Sequence, residues 1–271
     1  MEHKKIVITG GSRGIGEALA LKFAKQGAHV AILAKTVEPH PKLKGTILTV
    51  AEEIIKEGGH AYPMQLDIRD EERIVAVVDR VAEMMDGIDI LINNASAISL
   101  TNTENTSAKR FDLMFNVNVR GSFLMTQACL PYLKKGVNPH ILTLSPPLNI
   151  HPRWFENHVA YTISKYNMSL LTLGWAEEFR EYGIAANTLW PATLIGTAAI
   201  ENMPGGGELV KMTRKPEIMA DAAQIILQKD AKAFSGNFVI DEEILKEHGV
   251  TDFIRYNSTP GVNPAPDLFL D

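Results

Sequence analysis

The chain has 271 residues, with 27 Lys and Arg against 32 Asp and Glu, for a formal net charge of −5. At 45% hydrophobic residues it holds enough apolar material for one large core, which excludes intrinsic disorder. No basic stripe is visible, so nucleic acid and anionic membrane are not expected as partners, and a single cysteine, Cys129, allows no internal disulfide.

Short apolar runs alternate with longer helical periods. The pattern predicts strands over 5–9, 29–34, 61–66, 88–92, 140–144, 184–189 and 237–240, several of them continuously apolar. That is the signature of parallel strands covered on both faces. Amphipathic helices are predicted over 14–26, 47–57, 71–85, 108–135, 159–182 and 217–228. The alternation predicts an α/β fold, a doubly wound parallel seven-stranded sheet in a three-layer sandwich. No repeat or linker divides the chain, so residues 1–271 read as a single domain.

Three segments break the rhythm. The stretch 36–45 is longer than a strand-to-helix turn requires, and 196–216, with Pro204 ahead of Gly205, Gly206 and Gly207, reads as a mobile excursion. The tail 257–271 carries Pro260, Pro264 and Pro266 and is expected to be extended and non-helical. No run approaches the ~18 apolar residues of a membrane span. The N-terminal residues do not form a signal peptide, and Leu268-Phe269-Leu270-Asp271 matches no organelle address. A cytoplasmic location is the expectation.

Directly after the first strand comes Gly10-Gly11-Ser12-Arg13-Gly14-Ile15-Gly16, and a helix opens there. Glycines permit a tight turn and let main-chain N–H groups approach a pyrophosphate at the positive end of the helix. The second strand ends Leu33-Ala34-Lys35 without the acid that would hold a ribose 2′-hydroxyl. Lys35 and Arg13 instead offer cations suited to a 2′-phosphate, which favours NADP(H) over NAD(H). The alternative is that both are solvated surface charges. Lys42 and Lys44 could assist them, though a solvated loop explains those two as well.

Tyr161 and Lys165 stand at i and i+4 on a predicted helix and share one face. A neighbouring cation favours phenolate, so the spacing predicts a tyrosine with a lowered pKa, able to move the proton of an alcohol or carbonyl while hydride passes to or from nicotinamide.

Thr9-Gly10-x-x-x-Gly14-x-Gly16, Asn93-Asn94-Ala95, Asn118 and Tyr161-x-x-x-Lys165 together resemble the classical short-chain dehydrogenase/reductase family. The resemblance covers a core of about residues 4–245, leaving 246–271 as a C-terminal extension, and it implies a Rossmann-like fold. It further implies Tyr161 as proton donor or acceptor, Lys165 as tuner of Tyr161 and ribose ligand, and Asn118 as holder of a relay water. Asp67 and Ile68 would contact the adenine. Asn93, Ala95, Pro191 and Thr193 would flank the cofactor, beside Gly10, Ser12, Arg13, Gly14, Ile15 and Gly16. A homodimer or homotetramer built through 108–135 and 159–182 is implied as well.

One departure stands out. Pro146 occupies the slot where the family carries its substrate-polarising serine, which leaves Ser145 one place early and an insertion before Tyr161. Either Ser145 reaches the substrate oxygen through altered geometry, or Tyr161 acts with less help, or Ser145 merely caps a turn. The eight histidines, His151 and His158 among them, lack the partners for a metal site, and none is expected. Cys129 is expected to pack as a small apolar side chain. The leading reading is an NADP(H)-dependent oxidoreductase interconverting an alcohol and its ketone or aldehyde, on an apolar or lipid-like small molecule walled by 146–154 and 192–209. The rival, motivated by Pro146, is a catalytically weak or inactive NADP(H)-binding sensor or scaffold.

Overall fold

Ile6, Val7 and Ile8 are all fully buried, because β1 (Lys5–Thr9) has a strand on each side and helices over both faces. The computed structural model describes residues 1–39, 43, 45–203 and 205–270; Lys42 and Lys44 lie outside them. After β1 come α1 (Gly14–Lys25), β2 (His29–Ala34), α2 (Ile47–Lys56), β3 (His60–Gln65), α3 (Glu71–Met85) and β4 (Ile90–Asn93). The second half runs α4 (Ala108–Met114), α5 (Ser122–Leu133), β5 (His140–Thr143), α6 (Val159–Glu178) and β6 (Ala185–Trp190). It closes with α7 (Ala198–Glu201), α8 (Gly206–Leu209), α9 (Glu217–Gln228), β7 (Phe238–Ile240) and α10 (Asp241–Glu247).

The strands form one parallel sheet, ordered β3-β2-β1-β4-β5-β6-β7. Ile6 pairs with Val30 on one side and Ile90 on the other. The chain reverses its direction of winding between β1 and β4, and a crevice opens there at the carboxyl ends of the strands. Leu19, Phe23, Val50 and Ile226 from α1, α2 and α9 cover one face, while Val78, Met125, Cys129 and Trp175 from α3, α5 and α6 cover the other. Both layers are apolar, which is why the strands read as continuous hydrophobic runs.

The predicted helix 108–135 is broken. A π-helical turn, Phe115–Gly121, separates α4 from α5. Asn118 sits in it, fully buried, with its amide bonded to the main chain of Ala97. Gly121 packs so near Ile68 that a Cβ would stand 2.7 Å from its Cδ1. Single π-helical turns of this kind occur frequently at functional sites.

The stretch 196–216 is not an open excursion. It carries α7, α8 and a 3₁₀ turn, Val210–Met212, and Arg214 bridges to Ile195 and to Asn257 of the tail. The tail is extended, as its prolines predict, but it lies on the core. Thr193 pairs antiparallel with Pro266, Leu194 N–H donates to Ala265 O at 2.9 Å, and Trp190 Nε1 donates to Leu268 O at 2.9 Å. Phe269 is fully buried among Trp154, His158, Tyr161, Tyr166 and Trp190. Its φ of +73° is one that a bulky residue adopts only where surrounding packing enforces it. No helix among the described residues is long and apolar enough to cross a membrane.

Phe269→Ala is expected to lower stability by about 3–5 kcal/mol if the tail unfolds together with the core. If the tail peels away separately, two of the three tryptophans, Trp154 and Trp190, lose their aromatic cover, and their emission shifts to the red while the sheet stays folded. Urea unfolding followed by far-UV circular dichroism and by fluorescence distinguishes the two; an unchanged midpoint and spectrum would contradict the packing described.

Candidate active site

The glycine turn is packed to the limit. Gly10 and Gly14 have φ of +69° and +59°. A Cβ on Gly16 would stand 2.4 Å from Gly10 O and 2.6 Å from the amide nitrogen of Asn94. The turn is therefore a cradle that side chains would fill. The residue before the helix behind it, Arg13, makes no side-chain cap to α1. The first N–H groups of α1 have no intrahelical acceptor, although Glu17 accepts from Gly14 N–H. Free N–H groups at the positive end of a helix suit a pyrophosphate, so these residues fit a dinucleotide. Ser12 is buried beneath the turn, and Ile15 lines the cavity in front of it.

Asn94, rather than Asn93, faces this turn. Its side-chain amide donates to Thr9 O at 2.9 Å and Gly10 O at 3.1 Å, while Thr9 Oγ1 accepts from the N–H groups of Asn94 and Ala95. Asn93 is buried and bonds instead to Thr126 Oγ1 at 3.2 Å, on α5. Ala95 backs the turn, its Cα 2.9 Å from where a Gly10 Cβ would be.

At the other end of the crevice, Lys35 is exposed at the end of β2. Arg13 Nη2 donates to Gly45 O at 2.8 Å and so ties the turn to the loop after β2. Asp67 is gripped by Arg69, whose Nε lies 2.9 Å and 3.1 Å from its two carboxylate oxygens and whose Nη2 lies 2.5 Å from one. These bonds hold the Asp67 carboxyl below its ordinary range, with a smaller contribution from Lys35. Ile68 is buried against Gly121.

Tyr161 and Lys165 share a face of α6 and line one cavity of about 330 Å³. The lowered tyrosine pKa expected from their spacing is not what the structure gives. Burial pushes the Tyr161 phenol up, and the charge of Asp267 adds to the shift. Burial also draws Lys165 down, to about 7. Burial removes the charged phenolate from water and so favours the neutral phenol. The ammonium is held by Leu144 O, with Met168 Sδ at 3.6 Å.

Asn118 spends both amide hydrogens, on Ala97 O and Ser164 Oγ at 3.0 Å each, while its Oδ1 accepts from Ala97 N–H at 2.7 Å. It clamps the strand-to-helix loop after β4 to α6, and its N–H groups are not free to hold a relay water. Ser145 is not brought to Tyr161's cavity. It is fully buried, its hydroxyl has no partner among the described residues, and it does not line the cavity. Pro146 supplies only a carbonyl, which accepts from Ser169 Oγ at 2.6 Å. The altered geometry that could have carried a serine to the substrate is absent.

Pro191 lines the cavity, whereas Thr193 is turned to the tail, its hydroxyl buried and unpartnered. Thr197 lines the cavity and packs on Gly14. Further walls include Ile98, Leu100, Trp190, Leu194, Ile195, Ile200, Met203 and Leu209, with Asp267 and Leu268 from the tail. Of the two stretches expected as walls, 192–209 is here and 146–154 is not. His158 packs edge-on against Tyr161 and Phe269, and no three metal-ligating side chains converge among the described residues. Asn94 and Asp267 are the site residues that the sequence reading missed. Asp267 had one available signal, an acid set between Pro266 and the apolar Leu268-Phe269-Leu270.

The profile of the short chain dehydrogenase family matches residues 4–204. Hydroxysteroid dehydrogenase-like protein 2 of Bos taurus is 57% identical over 266 residues, which are 98% of this chain and 63% of that protein. The chain thus spans somewhat less than two thirds of the length of this curated relative. Among solved structures, a putative dehydrogenase from Xanthomonas campestris is 48% identical at a TM-score of 0.95, covering 100% of this chain and 98% of that one. A short chain dehydrogenase from Mycobacterium thermoresistibile is also 48% identical, at a TM-score of 0.93, covering 100% and 96%. With the glycine cradle, the Tyr161–Lys165 face and this extent of identity in one molecule, the chain belongs to the short chain dehydrogenase family, a family of oxidoreductases acting on CH–OH groups.

Proposed function

We propose that the protein is an NADP(H)-dependent oxidoreductase that interconverts a ketone or aldehyde and its alcohol, on an apolar small molecule, with the crevice and the tail working as one unit. The observation that carries this reading is the shared cavity of Tyr161 and Lys165 beside the glycine cradle. Gly10, Gly14 and Gly16 would admit the pyrophosphate, with Asp67 and Ile68 at the adenine and Ala95 and Pro191 flanking the nicotinamide half. Bound there, the nicotinamide supplies or accepts the hydride. Tyr161 holds the proton that the substrate oxygen gains, and burial keeps its phenol in the protonated form from which that proton is given. Lys165, on the same face, orients the ribose. Aliphatic walls from Ile98, Leu194, Ile200 and Leu209 support an apolar substrate.

The cofactor preference rests on the end of β2, where Lys35 stands without a neighbouring acid on that strand. A second reading, cofactor binding without turnover, is favoured by Ser145, whose hydroxyl lies off the cavity. Phe111, Phe123, Leu170 and Leu173 leave an apolar face on α4, α5 and α6 uncovered. From it we infer self-association into a dimer or tetramer.

Loss of a positioned proton donor reduces rate by about 10²–10⁴-fold, so Tyr161→Phe should lower kcat for carbonyl reduction into that range while binding NADPH as before. Full turnover by this variant would defeat the assignment; NADPH binding with no reduction of any ketone or aldehyde by the wild type would establish the second reading. Lys35→Asp should weaken NADPH and strengthen NADH by about 10-fold each, measured as dissociation constants by fluorescence; unchanged constants would remove the preference. Leu170→Glu should lower the mass seen by sedimentation equilibrium, and a wild-type monomer would dispose of the interface.

A further inference from the structure

The substrate oxygen in a carbonyl reduction needs a hydrogen-bond donor besides the group that protonates it. Neither Ser145, buried off the cavity, nor Pro146, which has no donor, can act as one. Among the polar side chains that do line the cavity, Asn94 has both amide hydrogens engaged with Thr9 O and Gly10 O. Thr197 packs on the cradle, and Ser96 is exposed at the rim. Beside Tyr161 and Lys165 themselves, the tail adds a further ionisable side chain to this wall, Asp267.

Asp267 is not a stray residue of a loose tail. Its N–H donates to Ala192 O at 3.1 Å, the preceding Pro266 is bridged to Thr193, and the following Leu268 is pinned through its carbonyl by Trp190 Nε1. Two residues on, Phe269 is buried in its aromatic cage at a left-handed φ. Asp267 Oδ1 accepts from Leu268 N–H at 2.6 Å, while Oδ2 takes no hydrogen bond among the described residues. Asp267 lines both the Tyr161 cavity and a second groove of about 690 Å³ on its outer side.

We propose that Asp267, in its protonated form, donates the hydrogen bond that holds the substrate oxygen against Tyr161, in place of the hydroxyl lost at Pro146. The proposal rests on the reductase reading above. The carbonyl carbon takes the hydride from reduced nicotinamide cofactor and the oxygen takes the proton of Tyr161. Asp267 keeps its own proton, so it is neither consumed nor reduced.

The surroundings favour that protonated form. Burial pushes the Asp267 carboxyl up, to about 7, and the Asp241 carboxylate adds to the shift while Lys165 opposes it. Tyr161 also interacts with its charge. On the outer side Arg153, Glu242, Glu243 and Lys246 line the groove, with Glu242 already paired to Arg214 at 2.9 Å and to Lys246 at 3.0 Å. A carboxylic acid kept neutral near neutral pH by an apolar site is an established donor to a developing oxyanion.

Asp267→Asn keeps a donor and removes the titration; Asp267→Leu removes both. With a ketone that the wild type reduces, Asp267→Leu should lose about 10²-fold in kcat/KM. Asp267→Asn should stay within about fivefold of the low-pH wild-type rate. Wild-type kcat/KM should fall as pH rises through the carboxyl's midpoint, because the ionised form accepts rather than donates, and this limb should vanish in Asp267→Asn. In ¹³C-aspartate-labelled protein, one carboxyl that disappears in Asp267→Asn should titrate well above the ordinary aspartate range. Near-wild-type activity of Asp267→Leu, equal loss in both variants, or an ordinary carboxyl midpoint would each overturn the proposal. The labelled titration needs no turnover: a wild type inactive on every carbonyl compound defeats the reductase reading, and the midpoint alone then decides the state of Asp267.

Discussion

The aromatic cage around Phe269 is the constraint on which the rest of the site depends. One ring, fully buried against Trp154, His158, Tyr161, Tyr166 and Trp190, anchors an extended segment with little secondary structure of its own. By fixing Phe269 it fixes Asp267 and Leu268 in the cavity wall. The tail thereby removes water from the end of the crevice where Tyr161 and Lys165 stand. Desolvation then sets the electrostatics: it raises Tyr161 and Asp267 and lowers Lys165, so that all three are drawn toward their neutral forms.

The opposite end of the crevice works by different means. There the sheet, the glycine turn and Asn94 form a rigid, mostly main-chain surface, and its charged groups, Lys35 and the Asp67–Arg69 pair, remain in contact with water. Charge at this end is screened and serves recognition; charge at the covered end is expensive and serves chemistry. One parallel sheet presents both environments because the strands on either side of its switch point end along the same edge.

Much of the fold was legible because its causes are local or periodic. Strands sandwiched between helix layers read as apolar runs, and a turn that cannot accept a Cβ must be written in glycine. Helical spacing put Tyr161 and Lys165 on one face without any knowledge of the rest. Other features escaped for equally physical reasons. Since β4 is buried on both faces, nothing in its sequence tells which of Asn93 and Asn94 turns to the crevice; the register of one residue decides it. The break at Asn118 coincides with its pairing to Ala97, some twenty residues away in sequence, which no local pattern reveals. The sign of the Tyr161 shift could not be read from a cation at i+4, because burial sets it, and part of that burial comes from Phe269, about a hundred residues further along. Proline content predicted an extended tail, but composition says nothing about which surface an extended segment finds.

The long sequence separation between the anchor and the groups it covers also has a consequence in time. Lys165 leaves the ribosome about a hundred residues before Asp267 and Phe269, an interval of roughly 5–20 s at ordinary rates of synthesis. A nascent chain can assemble its sheet and nucleotide cradle during that interval, but the wall that Asp267 and Leu268 give the cavity of Tyr161 and Lys165 is then still missing. The last wall of the catalytic cavity is therefore also the last part of it to be synthesised.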